Sequence, residues 1–168
     1  GKLPMTFPRS VGQVPICYNH YSTGRPGPIP LVFWSHYTDE LHTPLYPFGF
    51  GLSYTKFEYS NLKLEDTDPA KIKVSVRLKN TGKFAGEETA QLYIQDKIAS
   101  VVRPVKELKG FKKIMLNPGE STTVEFILTD AELGFYDNDG VFIVEPGEFE
   151  IMVGTNSQEG LKTSFTKK

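Results

Sequence analysis

A chain of 168 residues with a formal net charge of −1 is long enough for one well-buried core. Its residues are 39% hydrophobic and 23% charged, the balance of a soluble globular protein, which argues against nucleic acid or an acidic membrane surface as a partner. No apolar run approaches the roughly 20 residues of a membrane-spanning helix, and the single cysteine, Cys17, excludes an internal disulfide.

Residues 1–43, here called the leader, are rich in proline and glycine and show no lasting alternation of apolar and polar residues. A segment above ~15 residues without structure of its own is uncommon inside a compact domain. The leader is nevertheless too apolar for a disordered tail. We therefore predict that it is the end of an upstream domain, whose side chains pack against sequence outside this chain. The apolar residues behind this prediction are Leu3, Met5, Phe7, Val11, Val14, Ile16, Tyr18, Phe33 and Trp34.

One part of the leader has the composition of a sugar contact. Phe33, Trp34 and Tyr37 precede the carboxylates Asp39 and Glu40. Aromatic faces stack on the apolar face of a sugar ring, and carboxylates accept hydrogen bonds from its hydroxyls. We predict that Phe33, Trp34, Tyr37 and Asp39 contribute to a substrate rim or to a subunit interface. Packing against an absent domain is the alternative.

Residues 44–56, here called the connector, contain the run PLYPFGFGLSYT. Its prolines remove backbone donors and its glycines loosen the backbone, so a regular helix is excluded. A loop this apolar is predicted to be a buried connection between two folded bodies.

From residue 57 onward the sequence alternates in the period of two that is typical of half-buried strands. The clearest case is residues 71–79, which would bury Ile72, Val74, Val76 and Leu78. A first strand is predicted at 57–64, and a strand at 108–116 breaks phase near Gly110, where we expect a bulge or bend. Further alternating sets are Ala90, Leu92 and Ile94; Val124, Phe126 and Leu128; and Phe149, Ile151 and Val153.

Turn signals separate these strands. The pairs Pro118-Gly119 and Pro146-Gly147 suit the centre of type II turns, and residues 80–82 and 138–140 are further turns. Residues 129–133 allow one capped helical turn. We predict an all-β fold, an antiparallel β-sandwich of the immunoglobulin or fibronectin type III type with about seven strands over 57–168.

Several motifs in order resemble glycoside hydrolase family 3 β-glucosidases. Residues 1–8 (GKLPMTFP), 18–20 (YNH) and 23–26 (TGRP) are similar to the end of that family's α/β-sandwich domain, and 44–55 to the connector that follows it. The remaining motifs resemble the family's fibronectin type III-like domain: 80–82 (NTG) with Gly86, 92–96 (LYIQD), 103–111 (RPVKELKGF) and 116–120 (LNPGE).

The resemblance implies that the parent enzyme hydrolyses terminal β-glucosides with retention, through two carboxyl groups. The family carries these groups in its N-terminal barrel and α/β domain, and neither motif matches a position here. We therefore expect no catalytic residue, cofactor or metal in this chain, and no activity from it alone. The expected partners are the catalytic domains of the same polypeptide and a second subunit in a homodimer, in a periplasmic or secreted location.

Two alternatives to this function remain open. A β-xylosidase of the same family would carry the same connector and sandwich motifs. A free-standing immunoglobulin-like module for carbohydrate adhesion would need a sugar platform on the sandwich, where Tyr93 is the only aromatic predicted to point outward from a strand.

Other clusters favour ordinary structural roles. The run Asp137-Asn138-Asp139-Gly140 hints at a calcium loop but lacks the EF-hand spacing, so a surface turn is favoured. Lysines 106, 109, 112 and 113 are predicted to point outward and to protect a sheet edge. Cys17 is predicted to pack as a small apolar side chain, and His20, His36 and His42 lack the spacing of metal ligands.

Overall fold

The computed structural model describes residues 1–24, 34, 36–68 and 71–168. The leader contains a short 3₁₀ turn, Val11–Gln13. In chain order the following elements are β1 (Phe57–Asp68), β2 (Lys71–Asn80), β3 (Gly86–Asp96), β4 (Glu107–Leu116), β5 (Ser121–Leu128), α1 (Asp130–Leu133), β6 (Phe135–Tyr136), β7 (Phe142–Ile143), β8 (Gly147–Gly154) and β9 (Gly160–Lys167).

Seven of these strands form two antiparallel sheets. One sheet has three strands in the order β1-β2-β5, and the other has four in the order β4-β3-β8-β9. The short strands β6 and β7 pair separately as a hairpin. The predicted all-β sandwich of about seven strands is confirmed. Strands β6, β7 and β9 were not predicted individually.

The core lies between the two sheets and uses the alternating residues that the sequence indicates. Val74, Val76 and Leu78 of β2 meet Leu92 of β3 and Ile151 of β8, all of them fully buried. Each such side chain contributes roughly 1.5–3 kcal/mol by leaving water. The rest of the buried cluster is Ile72, Ala90, Ile94, Leu116, Val124, Phe126, Leu128, Leu133, Phe149 and Val153.

The break in phase within β4 is a β-bulge. Leu92 pairs with Gly110 whereas Tyr93 pairs with Leu108, so Lys109 has no partner across the ladder. A Cβ at position 110 would lie 3.1 Å from the Phe126 ring, closer than an ordinary van der Waals contact. The bulge predicted at Gly110 is confirmed. Strand β4 is also an edge strand of its sheet.

Three of the four predicted turns are present, and one is wrong in type. Gly119 and Gly140 have φ of +79° and +76°, the left-handed conformation that glycine adopts readily. Asn80 forms its turn through its side chain, which accepts a hydrogen bond from the Gly82 amide. Gly147 lacks a positive φ and instead begins β8 by pairing with Lys167, so no type II turn forms there.

The single predicted helical turn, α1, is confirmed. Thr129 caps it by accepting from the Ala131 amide, and the Glu132 carboxylate accepts from the Thr129 amide at 2.7 Å. This reciprocal arrangement is a capping box, which satisfies the free donors of so short a helix.

Candidate interdomain interface

The connector lies on the outer face of the four-stranded sheet, where Gln91 of β3 holds it. The Gln91 side-chain amide donates to the carbonyls of Gly49 and Thr155 at 3.1 and 2.7 Å, and its carbonyl accepts from the Tyr93 hydroxyl at 2.5 Å. Gln91 is only 3% exposed. Since a buried polar group left without a partner costs about 1–3 kcal/mol, these bonds fix the position of the connector.

An aromatic stack extends this contact to the leader. The Tyr18 ring lies parallel to Phe48 at 4.3 Å between centroids and meets Tyr93 edge-on at 5.9 Å. The backbone adds two hydrogen bonds, from Ser157 N to Phe48 O and from Val105 N to His20 O, each 2.9 Å. Leader, connector and sandwich therefore form one packed unit. We call the contact of the leader and connector with the sandwich the seam.

Gly49 is a position of the connector where a side chain would not fit. Its φ is +78°, and a Cβ there would lie 2.0 Å from the Gln91 side-chain oxygen. The glycine therefore permits both the backbone turn and the close approach to β3. This explains why the apolar connector contains glycine between two phenylalanines.

Lys2 attaches the start of the leader to the sandwich. Its ammonium group contacts the Glu88 carboxylate at 3.1 Å and the Thr155 hydroxyl at 2.7 Å. Glu88 is buried and also accepts from the Tyr59 hydroxyl at 3.0 Å. Burial, and then the Glu88 charge, raises the pKa of Tyr59 above its usual range.

The end of the connector is fixed by a fully buried amide. The Asn80 side chain accepts from the Thr55 hydroxyl at 2.6 Å and donates to the carbonyls of Phe84 and Leu116 at 2.8 and 3.0 Å. With its bond from Gly82, every polar atom of the side chain is used. The last residues of the connector are thereby joined to β2 and β4.

The leader also folds back on itself around Gln13. The side-chain amide of this buried residue donates to the carbonyls of Leu41 and Thr43 at 2.7 and 3.3 Å, and its oxygen accepts from the Arg9 amide at 2.5 Å. The Tyr37 hydroxyl donates to the Gly12 carbonyl at 3.2 Å. Residues 37–43 are thus held against the 3₁₀ turn.

Three of the four predicted rim residues are described, and Phe33 lies outside the described residues. Trp34 is half-buried, stacked on His36 at 4.4 Å and in edge contact with His42 at 5.1 Å. Tyr37 and Asp39 are exposed. Glu40 accepts from its neighbour's amide, Leu41 N, at 2.8 Å. The two histidines thus serve as ring partners of Trp34.

The leader and the connector expose many apolar side chains although their backbone is fixed. Tyr54 is 98% exposed, Val11 89% and Leu52 87%. Among the described residues of these two segments, the other exposed large apolar side chains are Met5, Phe7, Val14, Tyr21, Tyr37, Leu41, Leu45 and Tyr46. Where exposed apolar side chains form a patch, the patch is typically an interaction site.

The sequence misplaced three side chains at the seam. Tyr93 points away from the core as predicted, but it is 1% exposed because Tyr18 and the connector cover it. Lys106 was predicted to point outward. Instead its ammonium group lies 5.8 Å from the Tyr93 ring centre and donates a hydrogen bond to Ser157 O. Burial, and to a smaller extent the charge of Lys162, lowers the pKa of Lys106. Cys17, predicted to be packed, is exposed.

The acidic turn after β6 uses one of its carboxylates internally. Asp137 accepts from the amides of Asp139 and Val141 at 2.9 and 2.8 Å, the arrangement of a surface turn.

Among the described residues there is no group of three or more His, Cys, Asp or Glu side chains that could hold a metal ion. In that same part of the chain, no helix has the length and apolarity to span a membrane.

Comparison with known proteins identifies the sandwich and the segments before it together. Residues 88–157 match the family described as "Fibronectin type III-like domain". The "Periplasmic beta-glucosidase" of Salmonella typhimurium is 46% identical over an alignment of 170 positions, which covers 98% of this chain and 22% of that protein. The chain belongs to glycoside hydrolase family 3, as its fibronectin type III-like C-terminal region.

Other relatives of this region carry a second activity in their names. The "Putative beta-xylosidase" of Formosa agariphila is 46% identical over 100% of this chain and 22% of that protein. The crystal structure of β-glucosidase from Listeria innocua in complex with isofagomine superimposes with a TM-score of 0.92 at 41% identity, over 99% of this chain and 24% of that one. The chain thus spans about a fifth of the length of these relatives, so a free-standing adhesion module is not supported.

The residues that hold the seam were missed by sequence reasoning. Gln91, Glu88 and Asn80 resemble ordinary polar strand residues, and only the structure shows that they are buried. A partial signal was present at Gln91, which lies between the core positions Ala90 and Leu92 and therefore on the outer face. The apolar connector has to cover such a face somewhere, but the sequence does not indicate which strand.

Proposed function

We propose that this chain belongs to a β-glucosidase that releases terminal β-D-glucosyl residues with retention, and that it carries no catalytic residue. Its role is to hold the catalytic domains in place, which we call the bracing role. The observation that supports this most is the combination found in the leader and the connector. Buried polar contacts fix their backbone on the sandwich, while side chains such as Val11, Leu52 and Tyr54 remain in water. A surface held rigid and apolar is suited to dock against the catalytic domains.

In this proposal the leader, residues 1–43, is the end of the upstream α/β domain and the connector, 44–56, joins it to the sandwich, 57–168. Covering a large apolar side chain contributes roughly 1.5–3 kcal/mol, so a few such contacts would fix one domain on the other. The periplasmic name of the Salmonella relative supports a periplasmic or secreted enzyme. Dimerisation through the sandwich, giving a homodimer, is the other structural role that we propose.

The activity is tested by kinetics of the full-length enzyme and of this chain alone. We expect the full-length enzyme to hydrolyse p-nitrophenyl β-glucoside with a higher kcat/KM than p-nitrophenyl β-xyloside, and the isolated chain to show no turnover above the blank. Preference for the xyloside would favour the β-xylosidase alternative instead. Turnover by the isolated chain would contradict its non-catalytic role.

We further propose that the tip of the leader contributes to the substrate rim. Tyr37 and Asp39 present a ring and a carboxylate to solvent, and Trp34, a few residues earlier, contacts the rings of His36 and His42. Phe33 is included on sequence grounds alone. Such groups suit the distal sugar of an oligosaccharide, which stacks on rings and donates hydrogen bonds to carboxylates.

Trp34→Ala in the full-length enzyme tests this rim. We expect KM for gluco-oligosaccharides to rise roughly tenfold, the loss of an aromatic contact of about 1.4 kcal/mol, while kcat on p-nitrophenyl β-glucoside is unchanged. Trp34→Phe keeps a ring and should retain most of the affinity, and Phe84→Ala, on an exposed loop of the sandwich, is the control. Unchanged kinetics of Trp34→Ala on both short and long glucosides would exclude a rim role.

A further inference from the structure

The hairpin of β6 and β7 exposes two aromatic rings side by side. Tyr136 and Phe142 are direct cross-strand partners, with ring centroids 5.3 Å apart and ring planes inclined at 67° to each other. Tyr136 is 69% exposed and Phe142 45% exposed. A soluble domain rarely leaves a pair of aromatic side chains in water without a partner.

The pair rests on a rigid base. The capping box of Thr129 and Glu132 fixes α1 immediately before the hairpin. Phe142 packs over Gly134, where an added Cβ would lie 2.4 Å from the ring. On the other side of the hairpin, the Arg103 guanidinium lies 4.7 Å from the ring centre of Phe135. A ring held in this way loses little conformational entropy on binding a ligand.

Polar groups suited to hydroxyls adjoin the rings. The turn between β6 and β7 contains Asp137, Asn138 and Asp139, and the last two are exposed. Within the described part of the chain, the Tyr136 hydroxyl, the Asn138 amide and the Asp139 carboxylate make no side-chain hydrogen bond. A neutral ligand rich in hydroxyl donors matches this combination of rings, amide and carboxylate, whereas an anionic ligand would be repelled.

We propose that Tyr136 and Phe142, with Asn138 and Asp139, form a binding platform for a neutral β-glucan on the sandwich. In a β-linked glucosyl ring the linkage oxygen at C1 is equatorial like the hydroxyls, so both faces present C–H groups that can lie against an aromatic ring, whereas an α-linkage places an axial oxygen on one face. Its equatorial hydroxyls then point sideways, toward groups at the edge of the platform. Phe111, another exposed aromatic side chain of the sandwich, lies on β4 and has no second aromatic ring in contact with it among the described residues.

This platform does not depend on the proposed bracing role, because it uses neither the leader nor the connector. It is tested on the 168-residue chain by native electrophoresis in gels containing barley β-glucan or laminarin, with dextran gels as the α-linked reference. We expect the wild-type chain to be retarded by the β-glucans and not by dextran. Tyr136→Ala should weaken binding roughly tenfold, whereas Tyr136→Phe, which keeps the ring, should retain most of it.

Phe111→Ala is the matched control, because it removes a ring of nearly equal exposure from another strand, 67% against 69%. Thermal unfolding of each variant checks that the fold is retained. Asn138→Ala, on the exposed turn, tests the platform with a second variant if Tyr136→Ala does not fold. No retardation of the wild-type chain, or equal retardation of wild type and Tyr136→Ala, would overturn the platform. If the wild-type chain dimerises but does not bind glucan, and Tyr136→Ala loses the dimer, the rings serve self-association, which would also overturn the proposed platform.

Discussion

Four buried polar side chains determine how the leader and connector lie on the sandwich. Gln13 folds the leader back on itself, Gln91 holds the connector, Asn80 joins its end to the strands, and Glu88 receives Lys2. Each has at least one partner 25 or more positions away in the sequence. A substitution at any of them would leave buried donors or acceptors unpaired, at about 1–3 kcal/mol per group.

The chain should become less stable as the pH rises above about 10. Burial raises the pKa of Tyr59 and of Tyr93 above the ordinary value of 10.0, and Glu88 adds to the effect at Tyr59. The unfolded chain therefore releases these protons first, so the stabilisation is complete below pH 10 and is lost above it. Each tyrosine contributes a slope of about 1.4 kcal/mol per pH unit in the free energy of unfolding.

Urea unfolding between pH 8 and 11 measures this slope. Tyr59→Phe should be less stable at pH 8, because Glu88 loses a donor, yet its stability should fall less steeply above pH 10. Tyr54→Phe is the control, since that side chain is 98% exposed and makes no contact that the substitution would remove. Equal slopes for wild type and Tyr59→Phe would show that Tyr59 is not held neutral by the fold.

The strands were predictable where one face is buried and the other is in water. In β2 the apolar residues alternate without a break, and the structure buries each of them. The bulge in β4 was predictable too, because Gly110 interrupts a regular pattern. Strand β9 was missed, since only Leu161 and Phe165 pack against the core and the positions between them are polar.

The seam was not predictable to the same degree. Its contacts are hydrogen bonds between residues distant in sequence, such as Gln91 with Gly49, 42 positions apart, and Lys2 with Thr155, 153 positions apart. No local periodicity records such pairs. The predicted rim residues Trp34, Tyr37 and Asp39 do lie in one segment, but their role depends on sequence outside this chain and remains a prediction.

In the chain as a whole, the sandwich has a complete core while the segments before it do not. The buried apolar cluster is drawn from the strands and α1. The leader and the connector instead leave many large apolar side chains in water, with Tyr54 at 98% exposure. This difference is the physical basis for proposing that a neighbouring domain covers them.

Hydroxyl-radical footprinting of the isolated chain and of the full-length enzyme tests this central proposal most directly. Oxidation of a side chain reports its exposure, and Tyr54 and Tyr136 offer the same chemistry in the connector and on the sandwich. We predict that Tyr54 is oxidised rapidly in the isolated chain and is strongly protected in the full-length enzyme, while Tyr136 reacts equally in both. Equal reactivity of Tyr54 in the two proteins would contradict the account.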